Sequence, residues 1–195
     1  MRKLMVSGLA VLLAIVFLGG CRSPQGGTVS EKRAAVQKMR TDTLESLYKI
    51  QPAAVDRLKA AAGYAVFSNI GTNVLLLSTG SGYGIARDNK SGVETYMKMR
   101  SLGVGLGVGV KDFRGVFMFS DQAVLSNFIE KGWEAGAQAD AAAKTSEKGA
   151  ATGSAISVAP GVSLYQITEK GLALQATIQG TKYSKDDELN GQPSK

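Results

Sequence analysis

Between Gly103 and Val110 glycine alternates strictly with branched aliphatic residues: Gly-Val-Gly-Leu-Gly-Val-Gly-Val. A period of two belongs to an extended strand, whose successive side chains point to opposite faces. One face of the run is then bare glycine, which lets a neighbouring backbone or helix pack very close to it. The same glycines do not make a nucleotide loop. A dinucleotide loop needs G-x-G-x-x-G between a strand and a helix, and Val108 stands where the third glycine would be. No G-x-x-x-x-G-K-[ST] occurs anywhere in the chain. The segment therefore calls for a sheet, and the flanking patterns say what surrounds it.

Helical patterns come first. Residues 22–29 read as a flexible tether. Ser30 reads as an N-cap ahead of Glu31, and Val36, Met39, Leu44, Leu47 and Ile50 recur at helical spacing. Pro52 suits the first turn of a second, alanine-rich helix over 53–62, closed by Gly63. Short β-like runs follow at Tyr64–Ser68 and Val74–Ser78, then Gly80–Gly84 leads into Ile85–Arg87. Asp88–Gly92 is a turn cluster, Val93–Met99 alternates again, and Arg114–Phe119 is another strand. Ser120-Asp121 caps a helix with Val124, Leu125, Phe128 and Ile129 on its inner face, ended by Gly132. Residues 133–143 suit either a strand of small residues or an alanine-rich helix, and 144–154 read as a polar loop. Val162–Thr168 and Leu172–Gln179 form a hairpin about Glu169-Lys170-Gly171. The expected fold is α+β: N-terminal helices packed on an antiparallel, partly barrel-like β-sheet with one inserted helix.

Composition narrows the chemistry. The chain has no histidine and one cysteine. Ser-His-Asp and Cys-His machinery and histidine zinc sites are thereby excluded. The carboxylates offer no catalytic pair, since Asp186, Asp187 and Glu188 cluster in the tail and Glu134 stands beside Trp133. No catalytic residues, no metal site and no cofactor are expected, and the protein is not expected to be an enzyme.

Arg2 and Lys3 precede an apolar stretch from Leu4 to Leu18, and Leu18-Gly19-Gly20-Cys21 closes it. A basic start, a short hydrophobic run and a small-residue end are the parts of an export signal. The run is shorter than the roughly 20 residues a membrane-spanning helix needs. Leu-Gly-Gly-Cys resembles the lipobox of bacterial lipoproteins. That resemblance implies cleavage before Cys21, a diacylglyceryl group on its thiol and acylation of the new amino end. Lipidation also accounts for a lone thiol in an exported chain. Inner-membrane lipoproteins typically carry Asp next, so Arg22 points to an outer-membrane lipoprotein facing the periplasm. Without Arg2 and Lys3 the 23 basic residues become 21 against 16 acidic, a net charge of +5. Export places the chain away from nucleic acid, which is not expected as a partner, and anionic lipid fits the charge.

Phe119–Phe128 followed by Gly132-Trp133-Glu134-Ala135-Gly136 resembles the centre of the SYLF domain (the Ysc84-type lipid-binding family). Lys170-Gly171-Leu172 with Gln179-Gly180-Thr181-Lys182 is similar to its closing hairpin. Leu44–Tyr48 and Ala60–Phe67 fit its helical start, so the likeness covers about residues 40–183. It implies a lipid-binding module; eukaryotic members bind phosphoinositide membranes and some bundle actin. The chain departs from the pattern at Asn73–Thr79, and its 144–154 region looks lengthened. The expected organisation is a signal peptide over 1–20, a tether over 21–29, a SYLF-like domain over 30–183 and a disordered tail over 184–195.

Lys32, Arg33, Lys38 and Arg40 lie close in sequence to the anchor at Cys21 and are the candidate headgroup contacts, with Lys49, Arg57 and Lys59 following. Lys98, Arg100, Lys111 and Arg114 form a second group near strand ends, a patch only if the fold assembles it. The expected function is membrane-anchored binding of anionic phospholipid in the bacterial envelope. The alternative is an envelope structural or interaction protein that docks a protein or cell-wall partner, with lipid serving only as anchor.

Overall fold

The computed structural model describes residues 24–74, 77–104, 109–135, 155–168, 171–172 and 180–191. Helix α1 (Val29–Ile50) starts from Thr28, not Ser30. The Thr28 hydroxyl accepts from the Glu31 N–H at 3.2 Å, and the Glu31 carboxylate accepts from the Thr28 N–H at 3.0 Å. This reciprocal box satisfies two otherwise orphaned donors, which a lone serine inside the first turn does not do. Val36, Met39 and Leu47 are buried, whereas Ile50 at the C-terminus stays exposed. Helix α2 (Ala54–Ala60) follows the turn at Pro52.

Among the described residues nine strands make one sheet: β1 (Gly63–Val74), β2 (Leu77–Asp88), β3 (Glu94–Val104), β4 (Gly109–Phe119), β5 (Trp133–Ala135), β6 (Ile156–Ala159), β7 (Val162–Thr168), β8 (Gly171–Leu172) and β9 (Thr181–Lys185). Helix α3 (Gln122–Lys131) stands between β4 and β5. The strand order is β5-β9-β3-β2-β1-β4-β7-β6, with β8 on β7, and each described pairing is antiparallel.

Three expectations are corrected. Val74–Ser78 is not a strand: Val74 pairs with Leu77, so a hairpin reverses inside it. Gly103–Val110 is not one strand either. Val104 ends β3 and Gly109 begins β4, on opposite flanks of the β1–β2 hairpin. Alternation marks extended backbone but does not reveal where two extended segments join. Finally, 184–195 is not disordered throughout. Ser184 and Lys185 end β9, Leu189 is 1% exposed, and Asn190 is bonded to Tyr96 through both its side-chain amide groups. One apolar residue and one bidentate amide suffice to hold a tail that is otherwise charged.

The sheet curls. Strands β9 and β4 are four places apart in the order, which in a flat sheet would mean about 19 Å. Yet the Phe117 ring on β4 lies 5.2 Å from Tyr183 on β9 and 5.9 Å from Trp133 on β5. The result is a half-barrel lined by Phe67, Phe117, Phe119 and Tyr183, with Leu125 and Phe128 of α3 among them. A side chain at Gly84 would strike the Phe67 ring and the Val66 carbonyl, so glycine permits the tight approach of β2 to β1. Asp121 caps α3, accepting from the Val124 N–H at 2.9 Å, and Gly132 at φ +71° turns the chain out of it. The alternate residues Val66, Ile85, Val116 and Tyr165 form the outer face, packed with Val36, Met39 and Leu47 of α1, Leu58 of α2 and Leu189.

Candidate functional site

The four N-terminal candidates all sit on α1. Lys32 reaches Glu188 at 2.6 Å, and Arg33 donates from Nε to the Leu189 carbonyl at 2.7 Å while its guanidinium lies over the Tyr96 ring. Arg40 pairs with Glu94, which also accepts from Gln37 at 2.6 Å and Arg87 at 2.7 Å. Burial alone would raise the Glu94 pKa. Hydrogen bonds from Gln37, Arg87 and Arg40 and the Arg40 charge outweigh it, holding the carboxyl below the ordinary value. These contacts fasten α1 to β3 and to the C-terminal turn. Lys38 differs: its side chain is 75% exposed and, among the described residues, meets only Asp42, one turn along the same helix. The structure thus commits Lys32, Arg33 and Arg40 to tertiary contacts and leaves Lys38 facing solvent.

The second group behaves otherwise. On β3 the buried Met97 and Met99 face the interior, so alternation turns Lys98 and Arg100 to the outer face. Tyr183 is interior on β9, which turns Lys182 and Ser184 outward, and Phe117 on β4 does the same for Arg114. Strand register then aligns Ser184, Lys98, Tyr83, Ser68 and Arg114 in one row across β9-β3-β2-β1-β4. The next row opposes Lys182 to Arg100, and Arg100 to Ser81. Glu134 of β5 pairs with Lys182 from the other side, and Asp112 precedes Arg114 by two positions. Among the described residues no hydrogen bond or ion pair engages Lys98, Arg100, Arg114 or Lys182. Sequence reading named Lys98, Arg100 and Arg114, but also Lys111, which stands opposite Gly71 on β4, three positions from Arg114 and outside these rows; it missed Lys182, which lies 82 positions from Arg100 and joins it only through register.

Arg57 stands elsewhere, in an open cleft of about 370 Å³ with Met118, Ser120, Ser157 and Ser163, its guanidinium 3.4 Å from the Tyr165 hydroxyl. Among the described residues no acidic or thiol cluster is arranged to hold a metal, and no helix is long and apolar enough to cross a membrane. Cys21, the lipidation candidate, lies outside the described residues.

What these features define is an α+β protein whose curled antiparallel sheet buries aromatics and the apolar face of α3 inside, and packs α1, α2 and a set of cations on its outer face. No family model matches the chain. It is similar to Beta cell expansion factor A of Aeromonas veronii, 40% identical over 167 residues, a match covering 83% of this chain and 60% of that protein. The chain therefore spans less than two thirds of that relative's length.

Proposed function

We propose that this protein is a non-enzymatic lipoprotein of the bacterial envelope, of SYLF type, whose folded domain binds anionic phospholipid at the membrane that anchors it. The observation carrying this reading is the short reach from anchor to fold. Seven residues separate Cys21 from Val29, where α1 begins. Fully extended, that span covers at most about 28 Å. Because α1 is tied to the sheet through Glu94, Glu188 and Leu189, the whole domain is held beside the bilayer. Anionic headgroups within that distance are attracted by the domain's cations.

The test is co-sedimentation of the chain from Arg22 onward with neutral and anionic vesicles, at low and high salt. Every described contact lies within residues 24–191, so this piece retains the whole described fold. Binding to anionic vesicles alone, lost in salt, supports the reading. Absence of binding to either assigns the lipid on Cys21 the role of a tether and favours a protein or cell-wall partner. The relative's name favours a second reading, that this chain too promotes expansion of beta cells. Counting cultured beta cells with and without the purified chain tests it.

A further inference from the structure

We infer that the outer face of β9-β3-β2-β1-β4 beyond α1, carrying Lys182, Lys98, Arg100 and Arg114, is the surface that docks on an anionic bilayer. This rests on the lipid reading above and names the site for it. The first observation is a like-charge pair. Arg100 and Lys182 stand directly opposite each other on neighbouring strands, an arrangement that destabilises a sheet. Both are exposed, so no packing demand keeps them there. The second is their freedom. On α1, Lys32, Arg33 and Arg40 are each committed to a partner elsewhere in the fold. These four have none among the described residues. The third is spacing. Lys98 and Arg114 share a row three strands apart, about 14 Å. That separation spans neighbouring headgroups and exceeds what one small anion could bridge. Ser68, Tyr83 and Ser184 occupy the row between and beside them, with Tyr83 packed against the α1 core.

The sequence beyond the row argues for a bilayer over a soluble polyanion. From Ala60 to Ala86, and again from Ser101 to Val110, the chain has no charged residue. Strand β1 continues six residues past Ser68 to Val74, paired with β2 to Leu77 and with β4 to Gly109. On β1 and β2 that extension is uncharged over about 20 Å, whereas β4 beside it carries Asp112 opposite Ile70 and Lys111 opposite Gly71. The β1–β2 hairpin can enter one leaflet but cannot cross a hydrocarbon core of about 30 Å. Cations at headgroup level with the uncharged β1–β2 hairpin beyond them match the polarity profile of a membrane interface. Glu134 and Asp112, at the margins of the patch, set its limits on β5 and β4.

The experiment compares the chain from Arg22 onward with a variant carrying Lys98→Gln, Arg100→Gln, Arg114→Gln and Lys182→Gln together. The probe is phosphatidylcholine vesicles with and without phosphatidylglycerol. Each cation near an anionic surface contributes roughly fivefold to affinity, so the variant should bind anionic vesicles more than about 100-fold more weakly. If the fourfold variant unfolds, Arg100→Gln/Lys182→Gln alone relieves a repulsion and should still lose about 25-fold. Wild-type binding that survives both sets of changes would overturn this site and leave the lipid reading standing. Failure of the wild type to bind anionic vesicles would overturn both. Retention on polyphosphate without vesicle binding would assign the face to a soluble partner and overturn the bilayer.

Discussion

Two sets of cations share the outer side of this half-barrel and are treated in opposite ways. On α1, Lys32, Arg33 and Arg40 each meet a carboxylate or carbonyl from a distant part of the chain. On the sheet, Lys98, Arg100, Arg114 and Lys182 meet none among the described residues, and two of them oppose each other. The difference teaches that nearness to Cys21 in sequence does not decide which cations the fold leaves unpaired. Paired cations are part of the fold, while unpaired cations that cost stability are candidates for a ligand.

The comparison breaks most readily at the α1 clamp. Leu189 is buried against the outer core, and its carbonyl receives Arg33. Leu189→Ala should cost about 3 kcal/mol, read as a lowered urea midpoint, because it leaves a cavity where α1 meets the tail. Glu94→Gln removes the charge that Arg40 and Arg87 share and should cost about 2 kcal/mol in the same assay. Vesicle binding by the folded Glu94→Gln fraction should stay near wild type.

Acid probes the same clamp by a second route. The folded pKa of Glu94 is depressed, so its contribution is fully present above the ordinary value of 4.5 and is lost as pH falls through the lower folded value. The stability gap between wild type and Glu94→Gln should therefore close as the pH of denaturation is lowered below that window. A gap unchanged by pH would detach Glu94 from the clamp. At the small end, Arg100→Gln should stabilise by about 0.5 kcal/mol, since it removes the repulsion with Lys182 and leaves Glu134 opposite Lys182. Lys38→Gln should leave the midpoint within about 0.5 kcal/mol, because an exposed pair within one helix is worth little.

Local patterns were legible where local physics decides. The apolar spacing of Val36, Met39 and Leu47 marks the buried stripe of α1, and Leu125 and Phe128 mark that of α3. Asp121 and Gly132 bound α3 through capping and a positive φ. What escaped depends on partners far along the chain. The charge of Lys32 looks free until Glu188 arrives beside it, 156 positions on. Leu189 looks like part of a solvated tail until α1 covers it. Lys182 enters the cationic face only because β9 pairs with β3. The runs at Val74–Ser78 and Gly103–Val110 read as strands because each begins and ends in extended backbone, and local pattern does not mark where one strand gives way to another.

The most direct measurement places one environment-sensitive fluorophore on each region. From Arg22 onward the chain has no cysteine, so a single introduced thiol can carry the label. Ser184→Cys puts it in the cationic row, and Glu45→Cys puts it on α1 in the stripe of Lys38, two turns away. With anionic vesicles, the account predicts a blue shift and quenching by lipid-borne quencher at position 184 and neither at 45. The reverse pattern, with the helix label shielded and the sheet label in water, would contradict it.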